Sequence, residues 1–212
     1  MNTIQINSAN IRITENCYLY DTWDVEHVDV DIVGDVLVQY CFIGINQANP
    51  GRISRHIKIG KNTTFAGTGV LMDTINLEIV TEVCGDDVKS NLDILALITN
   101  ASNISAEGVA RVNLPYRQVY TRVDQTNILI GTGGKIRWIP KLEIATDDIE
   151  GGHSCRIHRL GGEAVFYLTS RGLTSEHAEA MLLNSEIIRH LRTIDESNRE
   201  KVCYDIHMKL KK

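Results

Sequence analysis

Two side chains that could bind a metal or act as a nucleophile, His153 and Cys155, lie two residues apart in the stretch Glu150-Gly-Gly-His-Ser-Cys-Arg-Ile-His158. In a β-strand, successive side chains alternate between faces, so this pair would share one face and His158 would lie on the other. Thiolate sulfur and imidazole nitrogen are suitable ligands for iron or an iron–sulfur cluster, and an adjacent imidazole helps to ionise the thiol. Because two ligands are fewer than a closed site needs, a second subunit would have to supply the rest. The same spacing also fits a buried histidine bonded to the backbone beside a packed cysteine.

The part of the chain that precedes this pair is predicted to consist of β-strands. Short runs that are β-branched or alternate between apolar and polar residues recur between clusters of Gly, Asn and Asp, which favour turns, as at 44–51, 60–64 and 84–87. No long amphipathic helical pattern separates the runs, so the sequence favours a sandwich, a barrel or a β-solenoid over a sheet with crossover helices. The predicted strands are 4–6, 11–13, 28–32, 36–42, 57–59, 76–83, 92–98, 117–123 and 135–139.

From Gly161 onward the pattern predicts helices. A short helix is expected at 163–171 and should end at Gly172, and Thr174 or Ser175 is placed to cap a second helix. A third helix is predicted from the capping-box spacing of Ser197 and Glu200. The apolar stripes of the last two helices must pack on the β-body or on another protein; they comprise Ala178, Met181, Leu182, Ile188 and Leu191, and then Val202, Ile206 and Leu210.

The composition excludes several classes of protein. The 212 residues are 43% hydrophobic and 23% charged, as in an ordinary globular protein. No apolar run approaches the roughly 20 residues of a membrane-spanning helix, and the N-terminus has no secretory signal pattern, so we expect a cytoplasmic protein without a membrane partner. The net charge of −5 disfavours a nucleic-acid partner. Five scattered cysteines with no C-x-x-C pair predict packed thiols rather than a disulfide framework.

Two motifs in the last third of the chain carry a family resemblance. Residues 140–153 read P-x-L-E-I-x-x-D-D-x-x-x-x-H, and residues 166–178 read F-Y-L-x-S-R-G-L-x-x-x-x-A. Their order and spacing resemble the C-terminal part of the SufB/SufD family, the scaffold subunits of iron–sulfur cluster assembly in the SUF system. The clear resemblance covers 122–191, whereas the upstream strands match in style only.

The resemblance implies a fold and partners. It implies a right-handed parallel β-helix at 1–160 and a helical segment at 161–212 that docks a SufC-like ABC ATPase. It also implies a dimer of β-helices, either with a second copy or with a SufB-like subunit, and a minimal form without the N-terminal helical region that typical family members carry. The docking residues would be Phe166, Tyr167, Ser170, Arg171, Gly172 and Leu173, although Phe166 is expected to be mostly core along with Leu168.

The resemblance also implies where a transient iron–sulfur cluster would assemble. His153 falls where the family carries a histidine at the interface between the two scaffold subunits. Gln125 falls where the SufB type has its essential cysteine, and Gln125-Thr-Asn127 is close to the Q-T-N of the SufD type. Ser154 stands where SufB has a glutamate. Cys155 has no counterpart in the family, so it is a candidate substitute thiol that would bind the cluster together with His153.

No motif indicates a self-contained enzyme. The sequence has no G-x-x-x-x-G-K-[ST] phosphate loop, so a partner would handle ATP, and Gly131-Thr-Gly-Gly134 is predicted to be a turn between strands. Asp147-Asp148 is interpreted as another solvated turn. Two alternatives to a cluster scaffold stay open. One is a β-solenoid interaction subunit without cluster chemistry, and the other is a carbohydrate-active β-helix enzyme, which would need a convincing pair of carboxylates on an exposed face.

Overall fold

A computed structural model describes residues 1–45 and 51–210, which form thirteen β-strands and three α-helices. The strands alternate along the chain between two sheets. The first sheet contains, in spatial order, β1 (Asn2–Gln5), β3 (Cys17–Asp21), β5 (Leu37–Gly44), β7 (Thr64–Met72), β9 (Lys89–Ile98), β11 (Val119–Leu129) and β13 (Ile149–His158). The second contains β2 (Asn10–Ile13), β4 (His27–Ile32), β6 (Arg52–Ile59), β8 (Thr74–Val83), β10 (Asn103–Val112) and β12 (Lys135–Ile144). Most of the predicted turn at 44–51 lies outside the described residues.

Each strand pairs in parallel with the strand two places further along the chain, so successive turns of the chain stack on one another. This stacking produces a parallel β-solenoid of about five turns. The predicted parallel β-helix is therefore confirmed. The predicted turns at Gly131–Gly134 and at Asp147-Asp148 are also confirmed, because they connect β11 to β12 and β12 to β13.

The sequence pattern predicts no strand at β3, β7 or β10, and the packing of β7 explains why that strand is hidden. Gly67 and Gly69 interrupt its apolar run, and glycine disfavours strands. A Cβ at Gly69 would lie 2.0 Å from the Phe42 ring, and one at Gly67 would lie 2.9 Å from Leu92. Glycine is therefore needed here because side chains from the adjacent turns fill the space.

The interior near the N-terminal end of the solenoid holds a fully buried ion pair between Arg55 and Asp21. The Arg55 Nε and Nη2 atoms lie 2.5 Å and 3.1 Å from the two carboxylate oxygens, and the Tyr40 hydroxyl donates to the same carboxylate at 2.7 Å. The remaining guanidinium N–H groups donate to the backbone carbonyl oxygens of Val25, Glu26 and Ser54. Every guanidinium N–H thus has an acceptor, which is the condition for burying an arginine without a large penalty.

Three helices follow the last strand: α1 (Gly162–Thr169), α2 (Ser175–His190) and α3 (Glu196–Leu210), with a short 3-10 turn at Leu191–Thr193. The Thr174 hydroxyl accepts the His177 N–H, so the predicted cap of α2 is confirmed. Gly172 has a φ of 95° in the predicted turn after α1. The predicted cap of α3, Ser197, is wrong by two residues, because the helix begins at Glu196. The Asp195 carboxylate caps this helix by accepting the Asn198 N–H at 3.1 Å.

Helices α2 and α3 pack on the outer face of the first sheet. The buried side of α2 includes Leu183 and Ile187, whereas Met181 and Ile188 of the predicted stripe are exposed, so that part of the prediction is wrong. Val202 and Ile206 of α3 are buried as predicted. The shared apolar cluster also contains Cys41, Val70, Met72, Leu95, Leu97, Ile128 and Leu191. None of the described helices is long and apolar enough to span a membrane.

We expect Arg55→Met to destabilise the protein by about 3–5 kcal/mol, because it leaves the Asp21 carboxylate buried and without its counter-charge. Chemical denaturation would measure the free energy of unfolding. The matched control is Arg111→Met on the same sheet, which breaks a partly exposed ion pair with Glu143 and should cost less than about 1 kcal/mol. Equal losses in the two variants would contradict the structural role of the buried pair.

The free energy of unfolding should also fall as the pH rises above about 9, because the pKa of Cys41 is raised from its ordinary 9.0 to about 12. Burial of the thiol is the largest cause of this shift, and the negative charges of Asp195 and Asp21 add to it. Between these values the unfolded chain releases the thiol proton while the folded chain keeps it, so the unfolded state binds fewer protons and gains stability. Denaturation at pH 8 and pH 10.5 should show this loss. Cys41→Val should make the loss smaller but not remove it, because burial also raises the pKa of Tyr20 and of Tyr40. An unchanged pH dependence in Cys41→Val would refute the assignment.

Candidate functional site

The C-terminal end of the described solenoid is open. β12 and β13 are the last strands of their sheets, and each pairs with one neighbour only. Side chains that point inward from these strands are therefore only partly covered, and Ile144 and Ile157 are 39% and 57% exposed. Among the described residues, no strand pairs with the outer backbone edge of β13, which is ten residues long. A long unpaired edge beside an apolar face is a surface on which another chain can add.

Two carboxamide side chains are buried in the interior at this end. Gln125 and Asn127 of β11 point inward and are 0% exposed. In the turns before them, the corresponding positions are occupied by Ile94 and Ala96 of β9. Burying two carboxamides costs free energy unless their hydrogen bonds are made. This pair of carboxamides thus distinguishes β11 from β9, which has aliphatic side chains at the same positions.

His153 and Cys155 lie on the last strand, next to these carboxamides. β13 is a strand, so the two side chains share a face and His158 lies on the other. In the parallel register, Cys155 pairs with Gln125, and His153 pairs with the buried Val123. His153 and Cys155 are both exposed, because no further turn covers them. The structure therefore brings the three predicted site residues together at the open end.

Asn127 is a fourth polar residue of this site, and it is missing from the predicted set. Its Nδ2 atom donates to the Cys155 sulfur at 3.5 Å and to the Arg156 carbonyl oxygen at 3.0 Å. Its Oδ1 atom accepts a hydrogen bond from Gln125 Nε2. The signal in the sequence is a second carboxamide two residues after Gln125 in a buried strand, which places both on one face.

Two buried polar atoms near the open end lack a hydrogen-bond partner among the described residues. They are Gln125 Oε1 and Trp138 Nε1. The Trp138 ring lies against Gly108, and a Cβ atom added at Gly108 would lie 2.6 Å from Cη2 of Trp138 and 3.0 Å from the Val123 side chain. Tyr20, Trp23, Gln39 and Ser90 carry such atoms elsewhere in the described residues, so Gln125 Oε1 and Trp138 Nε1 are informative because they lie at the open end, where a bound group could reach them.

Contacts on the outer face fix the register of β13. The Ser154 hydroxyl donates to Asp124 Oδ1 at 2.7 Å, and the other oxygen of this carboxylate lies 2.5 Å from Arg122 Nε. Asp124 thus ties the last strand to β11 from outside while Asn127 ties it from inside. Because a shift of one residue would turn every side chain to the other face, these contacts keep His153 and Cys155 inward.

The predicted docking segment is mostly exposed. Phe166 and Tyr167 are 73% and 54% exposed, and the Arg171 guanidinium lies 4.6 Å from the centre of the Tyr167 ring. Ser170 and Gly172 are exposed as well, and Leu173 is half-buried. The expectation that Phe166 is mostly core is wrong, because α1 packs mainly on α2 and no residue of α1 is buried; Leu168 is half-buried.

Within residues 1–45 and 51–210, no group of three or more His, Cys, Asp or Glu side chains is arranged to hold a metal ion. His153 and Cys155 can therefore offer two ligands from this chain. Gln125 and Asn127 can supply hydrogen bonds to bound sulfur or to a ligand of the metal, which is how outer groups orient ligands and tune clusters.

A comparison with known families decides the relationship. Residues 17–186 match the family model for the SufBD core domain of the SUF system for iron–sulfur cluster assembly. This chain belongs to the SufBD family. The match includes all strands from β3 to β13, helix α1 and most of α2.

Named relatives agree with this assignment. The chain is 30% identical to the iron–sulfur cluster assembly protein SufD of Escherichia coli over 92 residues, which are 42% of this chain and 21% of SufD. It is 27% identical to a SufBD family protein of Mycobacterium tuberculosis over 97 residues, or 46% of this chain and 12% of that protein. A SufBD family protein of Staphylococcus aureus is 20% identical over 185 residues, which cover 85% of this chain and 37% of the relative. The matches thus span well under half of each relative's length.

Proposed function

We propose that this SufBD chain is a scaffold subunit on which an iron–sulfur cluster is assembled at the open end of the solenoid. The observation that supports this most directly is the meeting of Cys155, His153 and Gln125 at the end of the solenoid where the interior opens to solvent. The cluster is cargo that is passed on, so the chain holds it transiently. In this proposal the chain is not itself an enzyme, and it works in the cytoplasm.

The unpaired edge of β13 is the surface that we assign to a second SufB/SufD-like subunit. Backbone pairing along this edge would cover the exposed Ile157 and the inward side chains of the last turn. The partner would also supply the cluster ligands that His153 and Cys155 do not provide. A second copy of this chain or a SufB-like protein would both fit the edge.

The exposed face of α1 is the surface that we assign to a SufC-like ABC ATPase, which would bind and hydrolyse ATP in place of this chain. Aromatic and arginine side chains are typical anchors of protein interfaces. Phe166 and Tyr167 present such groups on α1, and the turn after the helix adds Arg171, whose guanidinium lies over the Tyr167 ring, together with Ser170, Gly172 and Leu173.

A second candidate function is an interaction subunit that keeps the fold and the docking surfaces but binds no cluster. The observation that favours it is the lack of a third ligand-type side chain near His153 and Cys155 in the described ranges. The two candidates differ in whether this chain's own thiol touches iron.

Anaerobic reconstitution with iron and sulfide would separate these candidates, with the chain co-expressed with its SufC-like ATPase. We expect cluster absorbance that falls at least about fivefold in Cys155→Ser and in His153→Ala, because each removes one of few ligands. Cys84→Ser is the matched control, since Cys84 is an exposed thiol far along the chain from the site. A stable complex without any cluster would support the interaction subunit instead.

Binding of the ATPase should depend on α1. Phe166→Ala is expected to weaken the complex by about thirtyfold, the effect of losing one buried aromatic anchor of about 2 kcal/mol. Titration calorimetry with purified ATPase would measure this change. Tyr204→Ala on α3 removes another exposed aromatic side chain, at 63% exposure, and should leave the affinity unchanged. Equal affinities of the Phe166→Ala and Tyr204→Ala variants for the ATPase would refute the assignment of α1 as the docking surface.

A further inference from the structure

We propose that the subunit that adds to β13 is a second copy of this chain, and that the two β13 strands pair in antiparallel with His153 opposite His153. This inference deepens the assignment of the β13 edge to a scaffold partner, and it rests on that assignment. Two identical edges can pair only about a two-fold axis, which makes the strands antiparallel and brings each residue type against its mirror position in the strand.

The residues on the two sides of His153 match in chemical type. An isoleucine lies four positions before it and another four positions after it, at Ile149 and Ile157. Three positions away lie the only acidic residue and the only arginine of the strand, Glu150 and Arg156, and both are exposed. The four residues nearest to His153 are small: Gly151, Gly152, Ser154 and Cys155. In a pair centred on His153, each isoleucine therefore faces an isoleucine and each charge faces its opposite.

The neighbouring registers lose these matches. A pair centred on Gly152 would still place Arg156 opposite an aspartate, but it would set the apolar Ile157 against the carboxylate of Asp147. A pair centred on Ser154 would place Arg156 opposite Gly152, where it meets no charge. Because the favourable pairs form between β13 and itself, they indicate a second copy rather than a different scaffold chain.

The backbone of β13 presents free hydrogen-bonding groups at the residues that this register pairs. The Asp148 carbonyl oxygen accepts the Val119 N–H from β11. Backbone groups alternate in direction along a strand, so those of the even-numbered residues face β11 and those of His153 and Cys155 face the outer edge. The edge can therefore form a regular antiparallel ladder.

β12, the other edge strand at this end, is less suited to pairing. Its Lys135 N–H donates to the Ser102 carbonyl oxygen, so the backbone of Pro140 faces away from β10 and offers no N–H to a partner. Proline and exposed basic side chains, here Lys135 and Arg137, are common protection against edge pairing. β13 contains neither proline nor lysine. We therefore expect the first sheet alone to continue into the second copy.

This pairing would complete the proposed site. Residues that are directly opposite in a ladder share a face, so both copies of His153 and of Cys155 would lie on one continuous surface. Each Cys155 would face Gly151 of the second copy, which leaves space beside the thiol because glycine has no side chain. The dimer would then offer four ligand-type side chains where one chain offers two.

Sedimentation equilibrium of the full chain, without iron and without the ATPase, tests the charge pairs. The wild type is expected to dimerise. Glu150→Arg and Arg156→Glu should each weaken the dimer about tenfold, because each reversal sets like charges opposite one another at two places. In an equimolar mixture of these variants every reversed charge faces its opposite, so the mixed dimer should regain the wild-type affinity. Arg12→Glu is the matched control, since it reverses an exposed arginine on β2 at the far end of the solenoid, and it should dimerise like the wild type.

Cross-linking tests the register. Mild oxidation of a mixture of Glu150→Cys and Arg156→Cys should join the two chains, because the Cα atoms of directly opposed residues are about 4.5–5.5 Å apart, within the span of a disulfide. Mass spectrometry would identify the bond between positions 150 and 156. Efficient linking of Gly152→Cys to itself would move the two-fold axis to that residue and overturn the register.

The outcomes separate this pairing from the scaffold function. A monomeric wild type, or a dimer whose affinity ignores both charge reversals, would overturn the pairing. Cluster assembly by such a monomer with a SufB-like partner would leave the scaffold function in place. Conversely, a dimer that responds to the reversals as expected would support the pairing even where reconstitution with iron and sulfide yields no cluster.

Discussion

The stacking of successive turns is the constraint on which the structure depends. Each turn of the solenoid gains backbone hydrogen bonds and covers its inward side chains only because the next turn lies on it. β11 is covered in this way by β9 and β13, whereas β13 has no described strand on its far side. Exposure of His153, Cys155 and Ile157 is therefore a consequence of their place in the stack rather than of their side-chain chemistry.

Two buried polar groups in the same interior show how differently structure and function use such groups. Near the N-terminal end, Arg55 satisfies every N–H through Asp21 and three carbonyl groups, so the pair fixes the packing of three strands. At the other end, Gln125 keeps an acceptor that has no partner among the described residues, and Asn127 uses part of its capacity on a thiol. A satisfied network favours one rigid arrangement, and a free acceptor beside an exposed thiol leaves a hydrogen bond to be made there.

Much of the site could be predicted because side-chain alternation in a strand is a local property. The shared face of His153 and Cys155 follows from their spacing alone, and the parallel β-helix follows from the family motifs at 140–153 and 166–178. The contact between Asn127 and Cys155 depends on the register of β11 against β13. Paired residues of these two strands are thirty positions apart in the sequence, and no local pattern specifies their register. The exposure of Phe166 was missed for a similar reason. The sequence of a short apolar helix is the same whether or not a neighbouring element covers it, and the exposure of Phe166 depends on where α2 packs against α1.

The connection between α1 and β13 bears on how a partner bound to α1 could act on the proposed site. Only three residues separate β13 from α1. Arg159 donates a hydrogen bond to the Gly131 carbonyl oxygen, and Leu160 packs on the apolar cluster between the first sheet and helices α2 and α3. The next two residues are glycines, and no atom lies within 4 Å of where their Cβ atoms would be. A movement of α1 would therefore be absorbed at these glycines.

Helix α2 is joined to the solenoid far more firmly. His190 Nε2 donates to the Gly69 carbonyl oxygen at 3.0 Å, and Leu183 and Ile187 are buried against the first sheet. That sheet contains both β11 and β13. A force applied by a partner to the helices would thus reach Gln125, Asn127 and Cys155 through α2 and the sheet, not through the short connection from α1.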